Sequence, residues 1–266
     1  MPFFILTSQG VCELVPINFA RRLTGHKRSE DANRHLGFAL AFIAGATNAG
    51  GFLAVQQYTS HMTGIVSGMA DNLALGEYGL LFAGLGALLS FLMGAACTAV
   101  MVNYARRHKL YSTYALPLLF EAILLLCFGL LGARLAGIDG LFVPVTVMLL
   151  CFIMGLQNAV ITKLSNAEIR TTHLTGTITD LGIELGRLAY WSVATGATGG
   201  VSANSPRLKV LSLLVAFFFL GGVIGAVGFK HIGYLSTVPL AVALSALAIV
   251  PTMDDLLKLY RQSSKK

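Results

Sequence analysis

The chain has 266 residues, of which 55% are hydrophobic and 12% charged, with a mean hydropathy of +0.73 and a net charge of +7. A soluble domain carries about 25% charged residues, and no soluble core hides this many uncharged apolar runs, so the composition excludes a soluble globular protein. The basic residues stand in short clusters between apolar runs, as juxtamembrane residues do, which argues against a nucleic-acid partner and for the lipid bilayer.

Residues 1–35 hold Arg21, Arg22, Lys27, Arg28 and Arg34 and read as a basic cytoplasmic lead-in. Phe3-Phe4-Ile5-Leu6 is too short for the apolar region of a signal peptide and has no basic residue before it. A bilayer core about 30 Å thick needs roughly 20 apolar residues per helix. Six segments qualify: 36–57, 79–104, 115–135, 142–162, 209–229 and 232–250. The Lys230-His231 corner is expected to make the last two a tight helical hairpin, and residues 251–266 a cytoplasmic tail.

Two further segments, 62–75 and 173–195, are short or carry charges, and read as broken or re-entrant helices. The alternative is that both cross, making eight spans. Charge decides for the first: with six spans and both termini inside, 17 of the 19 Lys and Arg face the cytoplasm and only Arg134 and Lys230 fall outside. If residues 62–75 crossed, Arg106-Arg107-His108-Lys109 would fall outside.

These two segments begin with one motif written twice. Thr59-Ser60-His61-Met62-Thr63-Gly64 returns 112 residues later as Thr171-Thr172-His173-Leu174-Thr175-Gly176. Each copy follows an apolar run bearing an asparagine, Asn48 or Asn158, and precedes a carboxylate, Asp71 or Asp180. Phe91-Leu92-Met93-Gly94 resembles Phe218-Phe219-Leu220-Gly221, and Leu116-Pro117-Leu118 resembles Val238-Pro239-Leu240. The expected fold is therefore an all-α membrane protein of six transmembrane helices plus two short broken helices, in a single domain over residues 36–250. Its repeats, 36–135 and 142–250, hold three spans each. Three is odd, so the repeats run in opposite orientations, as in many secondary transporters.

The candidate solute pathway consists of Asn48, Thr59, His61, Thr63, Asp71, Asn158, Thr171, His173, Thr175 and Asp180, with Glu121 added as a lone intramembrane carboxylate. Both histidines stand at a helix start, where backbone N–H groups and hydroxyls can bind a polar group, and intramembrane ionisable residues are costly and usually functional. A buried, hydrogen-bonded histidine is the plainer reading of either alone; the duplication favours the site. Each short helix is expected to present an imidazole at its tip and a carboxylate deeper in, on nearly the same face. Glu184 is expected to pair with Arg187, leaving Asp180 free to act. The glycine pairs Gly64/Gly68, Gly182/Gly186 and Gly221/Gly225 read as close-packing positions, which would let the short helices press together. The four cysteines have no metal or disulfide spacing, and no zinc, nucleotide or nucleophile-elbow motif occurs, so neither a metal nor a cofactor is expected.

The first motif, together with Gln157-Asn158-Ala159 and the run Thr171-Thr172-His173-Leu174-Thr175-Gly176-Thr177-Ile178-Thr179-Asp180-Leu181-Gly182, resembles the YoaK-like family. These are uncharacterised multi-pass membrane proteins of bacteria, and the resemblance covers roughly residues 36–250. It implies a bacterial inner-membrane protein and carries over no functional residues. The leading functional reading is a secondary transporter or channel for a small polar or ionic solute, with proton coupling through the carboxylates. A membrane-embedded enzyme using His and Asp as acid and base, and a non-catalytic assembly protein, stay open beside it. A homo-oligomer is compatible with all three.

Overall fold

The computed structural model describes residues 4–6, 12–14, 30–110, 113–135, 142–164, 174–193 and 204–263. The helices are α1 (Glu30–Val55), α2 (Met62–Ala74), α3 (Tyr78–Arg107), α4 (Ala115–Leu135), α5 (Phe142–Leu164), α6 (Leu174–Val193), α7 (Ser205–Ile232) and α8 (Val238–Ser263). Ahead of them, two three-residue strands, β1 (Phe4–Leu6) and β2 (Cys12–Leu14), pair antiparallel with Phe4 opposite Leu14. The region expected to sit in the membrane is mostly helical where it is described, with a non-helical connector at 56–61.

Apolar length sets these helices, and local chemistry ends them. At the start of α7 the Asn204 side chain accepts the Arg207 N–H (3.0 Å) and Pro206 fills a position that needs no donor. Gly233, at φ +70°, stops α7. A 3-10 turn, Gly233–Thr237, then makes the corner to α8, later than the Lys230-His231 corner expected from sequence. The Thr237 hydroxyl donates to the Leu125 carbonyl on α4 (3.1 Å). Helix α8 runs on through Pro251 to Ser263, past the expected end at residue 250.

Four stretches among the described residues are long and apolar enough to cross a membrane: Asn33–Val55, Tyr78–Arg107, Pro144–Lys163 and Ser205–Ile249. Six spans were expected. Of the other expected spans, α4 is 21 residues long, with Ala115–Leu130 as its apolar stretch, and the Gly233–Thr237 corner folds Ser205–Ile249 into two helices.

Two helix pairs dominate the packing, α1 with α7 and α3 with α5. Both use one device, the tetrapeptide Phe-x-x-Gly, which occurs at 42–45, 91–94, 152–155 and 218–221. A Cβ on Gly45 would collide with the Phe218 carbonyl, and one on Gly221 with the Phe42 carbonyl. In the same way Gly94 faces the Phe152 carbonyl and Gly155 the Phe91 carbonyl. Each crossing is a reciprocal backbone-to-backbone contact that only glycine permits, close enough for Cα–H···O interactions. One turn further on, Gly225 meets Ala46, and at the matching place the Thr98 hydroxyl donates to the Leu156 carbonyl (2.9 Å).

The contacts also give direction. Residues 42, 46 and 50 of α1 meet 221, 225 and 229 of α7 in ascending order, so this pair runs parallel. Helices α3 and α5 are likewise parallel, with 86 near 148 and 94 near 152. Helix α5 runs antiparallel to α1: Gln157 Nε2 donates to the Leu40 carbonyl (3.3 Å), whereas Gly51 lies against Leu150. It also runs antiparallel to α4, with Tyr114 bonded to the Lys163 carbonyl (3.2 Å) and Phe120 edge-on to Phe152. Helices α1 and α5 form the centre, 61% buried over their apolar windows against 17% for α3.

Candidate functional site

Helix α1 stops at Val55 because Gln56 takes a left-handed backbone (φ +56°), a common way for a helix to end that non-glycine residues adopt less often than glycine. The chain then turns back. The Ser60 hydroxyl donates to Asn48 Oδ1 (2.9 Å), and the Ser60 N–H points at the same oxygen (3.4 Å). Asn48 lies two turns, about 10 Å, before Val55 along α1. The connector 56–61 therefore descends beside α1 before α2 begins. Thr59 is fully buried, its hydroxyl near Gly51. The Thr59 and Thr47 hydroxyls have no hydrogen-bond partner among the described residues.

Helix α2 climbs from His61 antiparallel to α3, as the contact of Met69 with Gly84 shows, and a tight turn at Gly76 (φ +76°) joins the two. The His61 imidazole lies back over Gly64; a Cβ there would collide with the ring. The Gly of the motif thus sets the pose of its His. From this pose His61 lines a cleft of about 790 Å³ between the connector, α2, α3 and the first turns of α5. The other polar walls are Gln56, Gln57, Tyr58 and Asn72, and Tyr58 stacks on Phe52 at 4.5 Å. Of the described sequence candidates only His61 lines this cleft. Thr63 is exposed, and so is Asp71.

The placement of Asp71 corrects the expectation that it shares a face with His61. Ten residues of helix leave it roughly 80° off, whereas Asn72, at eleven, returns to within roughly 20°. Asp71 also lies in the last turn of α2, beside the turn into α3, not deeper than His61. The start of this helix lies beside Asn48 of α1, because the connector has already carried the chain back along that helix.

Thr171 and His173 of the second copy lie outside the described residues, as does the loop before α7. Thr175 is exposed and its carbonyl accepts the Thr179 hydroxyl (2.8 Å). Asn158 is half-buried, with its carbonyl bonded to the Thr162 hydroxyl (2.7 Å). Asp180 pairs with Arg207 of α7 (3.0 Å), and both are about half exposed. The expected Glu184–Arg187 pair is present (2.9 Å), but Glu184 is 1% exposed and does more. Its Oε2 accepts the Asn204 N–H (3.1 Å), and Arg207 approaches Oε1, the oxygen bonded to Arg187, at 3.7 Å. Two carboxylates and two arginines thus tie α6 to the first turn of α7. Asp180, expected to be free, is part of this tie because Arg207, 27 residues away, folds beside it.

Glu121 sits in neither place. It is fully buried on α4, and neither carboxyl oxygen has a hydrogen-bond partner among the described residues. The glycine expectation holds at Gly221 and Gly225 only; Gly68, Gly182 and Gly186 would meet nothing within 4 Å. Sequence reasoning missed Gln56, Gln57, Tyr58 and Asn72. The i+11 spacing of Asn72 from His61 was the available signal.

The model of the family described as "Protein of unknown function (DUF1275)" matches residues 36–250. The chain is 32% identical over 157 residues to the UPF0700 transmembrane protein YoaK of Bacillus subtilis (strain 168), a match spanning 57% of this chain and 67% of that one. No solved structure matches. With a helical, apolar fold and a family match over most of its length, the chain belongs to the DUF1275 family of YoaK-like membrane proteins.

Proposed function

We propose that the protein is a secondary transporter or channel for a small polar or ionic solute in the bacterial inner membrane, and not an enzyme. In this reading it has six spans in two inverted units, 36–135 and 142–250, and both termini are cytoplasmic. The observation that carries it is one contact made twice between helices of opposite sense. Exchanging α1 with α5 and α3 with α7 turns the Gly45–Phe218 crossing into the Gly155–Phe91 crossing, while α1 and α5 run antiparallel. Inverted halves meeting at the bundle centre, with a broken polar segment, are the architecture of alternating-access carriers. Irregular backbone survives at membrane depth only beside protein or an aqueous cavity, and the 56–61 connector has both a helix and a cleft beside it. Charge supports the orientation: Arg106, Tyr114 and the Lys163 carbonyl meet at one end, where α7 begins with Arg207 and Lys209.

The test is a metabolite-uptake screen with purified protein in vesicles, with and without a pH gradient, repeated on His61→Ala, His173→Ala and Asp180→Asn. Saturable uptake that these variants lose while remaining folded supports the reading. No uptake across the screen, or full uptake by all three variants, refutes the assigned pathway. Cysteine labelling at positions 112 and 136 tests the topology. Labelling of position 112 from outside would overturn the six-span arrangement.

A further inference from the structure

The walls of the cleft that holds His61 are unusual for an ion pathway. None of the described side chains lining it is Asp, Glu, Lys or Arg. The polar groups are three carboxamides (Gln56, Gln57 and Asn72), one phenol and one imidazole. Carboxamides and a neutral imidazole both donate and accept hydrogen bonds, so they can match the edge of a molecule that does both. An ion held against these walls would give up part of its water and meet no opposite charge, which is costly. The apolar side is broad and partly aromatic: Phe52 with Tyr58 stacked on it, and Phe82 of α3 across the cleft. Flat aromatic walls suit a planar ring. The volume, about 790 Å³, lies within the usual range for small-molecule sites. Gln56 holds a left-handed backbone at the rim, of the kind that clusters at ligand clamps.

We infer that this cleft is a binding site for an uncharged, planar, hydrogen-bonding solute, of the class of heterocyclic bases and aromatic carboxamides. The inference rests on the transport reading for its physiological meaning, but binding is measured without transport.

The experiment uses three probes that share a pyridine ring: nicotinamide (uncharged), nicotinate (anionic) and 3-picolylamine (cationic). Each is titrated calorimetrically into the full-length protein in detergent. Nicotinamide is expected to bind at least about tenfold more tightly than either ion, since a site that pairs amide groups rejects analogues leaving buried polar groups unpaired. Asn72→Ala and Gln57→Ala should each weaken nicotinamide several-fold. Equal or tighter binding of either ion overturns the inference. So does absence of nicotinamide binding, or unchanged binding in both variants. Nicotinamide binding with no solute taken up in vesicles leaves the inference standing and sinks the transporter. Uptake of a charged solute without nicotinamide binding does the reverse.

Discussion

The α2–α3 hairpin and the pair α6 and α7 carry different side chains at positions that correspond by motif offset. The motif offset places Gly68 against Asp180, Asn72 against Glu184 and Leu75 against Arg187, and the Phe-x-x-Gly offset places Leu80 against Arg207. In the second pair these positions make a charged tie, with Glu184 buried beneath it. In the first, Gly68, Asn72 and Leu80 make neutral walls, and the space is a cleft. Beneath both pairs the glycine crossings are alike. Backbone-to-backbone contacts tolerate almost no substitution, whereas a hairpin face can exchange one kind of polar chemistry for another without moving a helix.

The strongest way to break this comparison is at the crossings. Gly221→Val and Gly94→Val should each destabilise the protein by about 3 kcal/mol or more, because a Cβ must push two backbones apart. Melting in detergent should show similar losses for the two; tolerance at one alone would mean that the crossings are not equivalent. The next largest effect separates the two pairs. Glu184→Ala leaves Arg187 and the Asn204 N–H without their acceptor, while Arg207 keeps Asp180, and should cost about 2 kcal/mol. Asn72→Ala at the matching position should cost less than about 1 kcal/mol. Equal losses would show that the first hairpin holds a hidden tie.

Gly182→Ala and Gly186→Ala sharpen the distinction between packing and exposed glycines. Nothing meets a Cβ there, so removing a flexible residue from the helix should stabilise by about 0.5–1 kcal/mol. A loss of stability in either would show that this face packs against another chain. Smallest of all, Asp180→Asn should change stability by under about 1 kcal/mol, since its ion pair is half exposed, and high salt should erase the difference. A large, salt-independent loss would mean that the pair is shielded from solvent.

The helices were legible because apolar length is a local property: the expected 79–104 and 142–162 appear as Tyr78–Arg107 and Phe142–Leu164. The duplicated motif was legible too, and its first copy bends the chain back to Asn48. The pairing of Asp71 with Asp180 as equivalent carboxylates did not survive, because the helical rotation from each histidine differs. Two of the candidate residues, Thr171 and His173, lie outside the described residues.

Sequence alone determined that this is a membrane protein, where its helices run and that its polar segments come in two copies, because hydropathy, periodicity and repetition are all read along one strand of chain. The tertiary structure decided which glycines are indispensable, that Arg207 pairs with Asp180, and that His61 opens onto a cleft without charged walls. Those outcomes depend on which backbone arrives from a distant part of the chain, and two glycine pairs with the same spacing differ only in whether another helix lies against them.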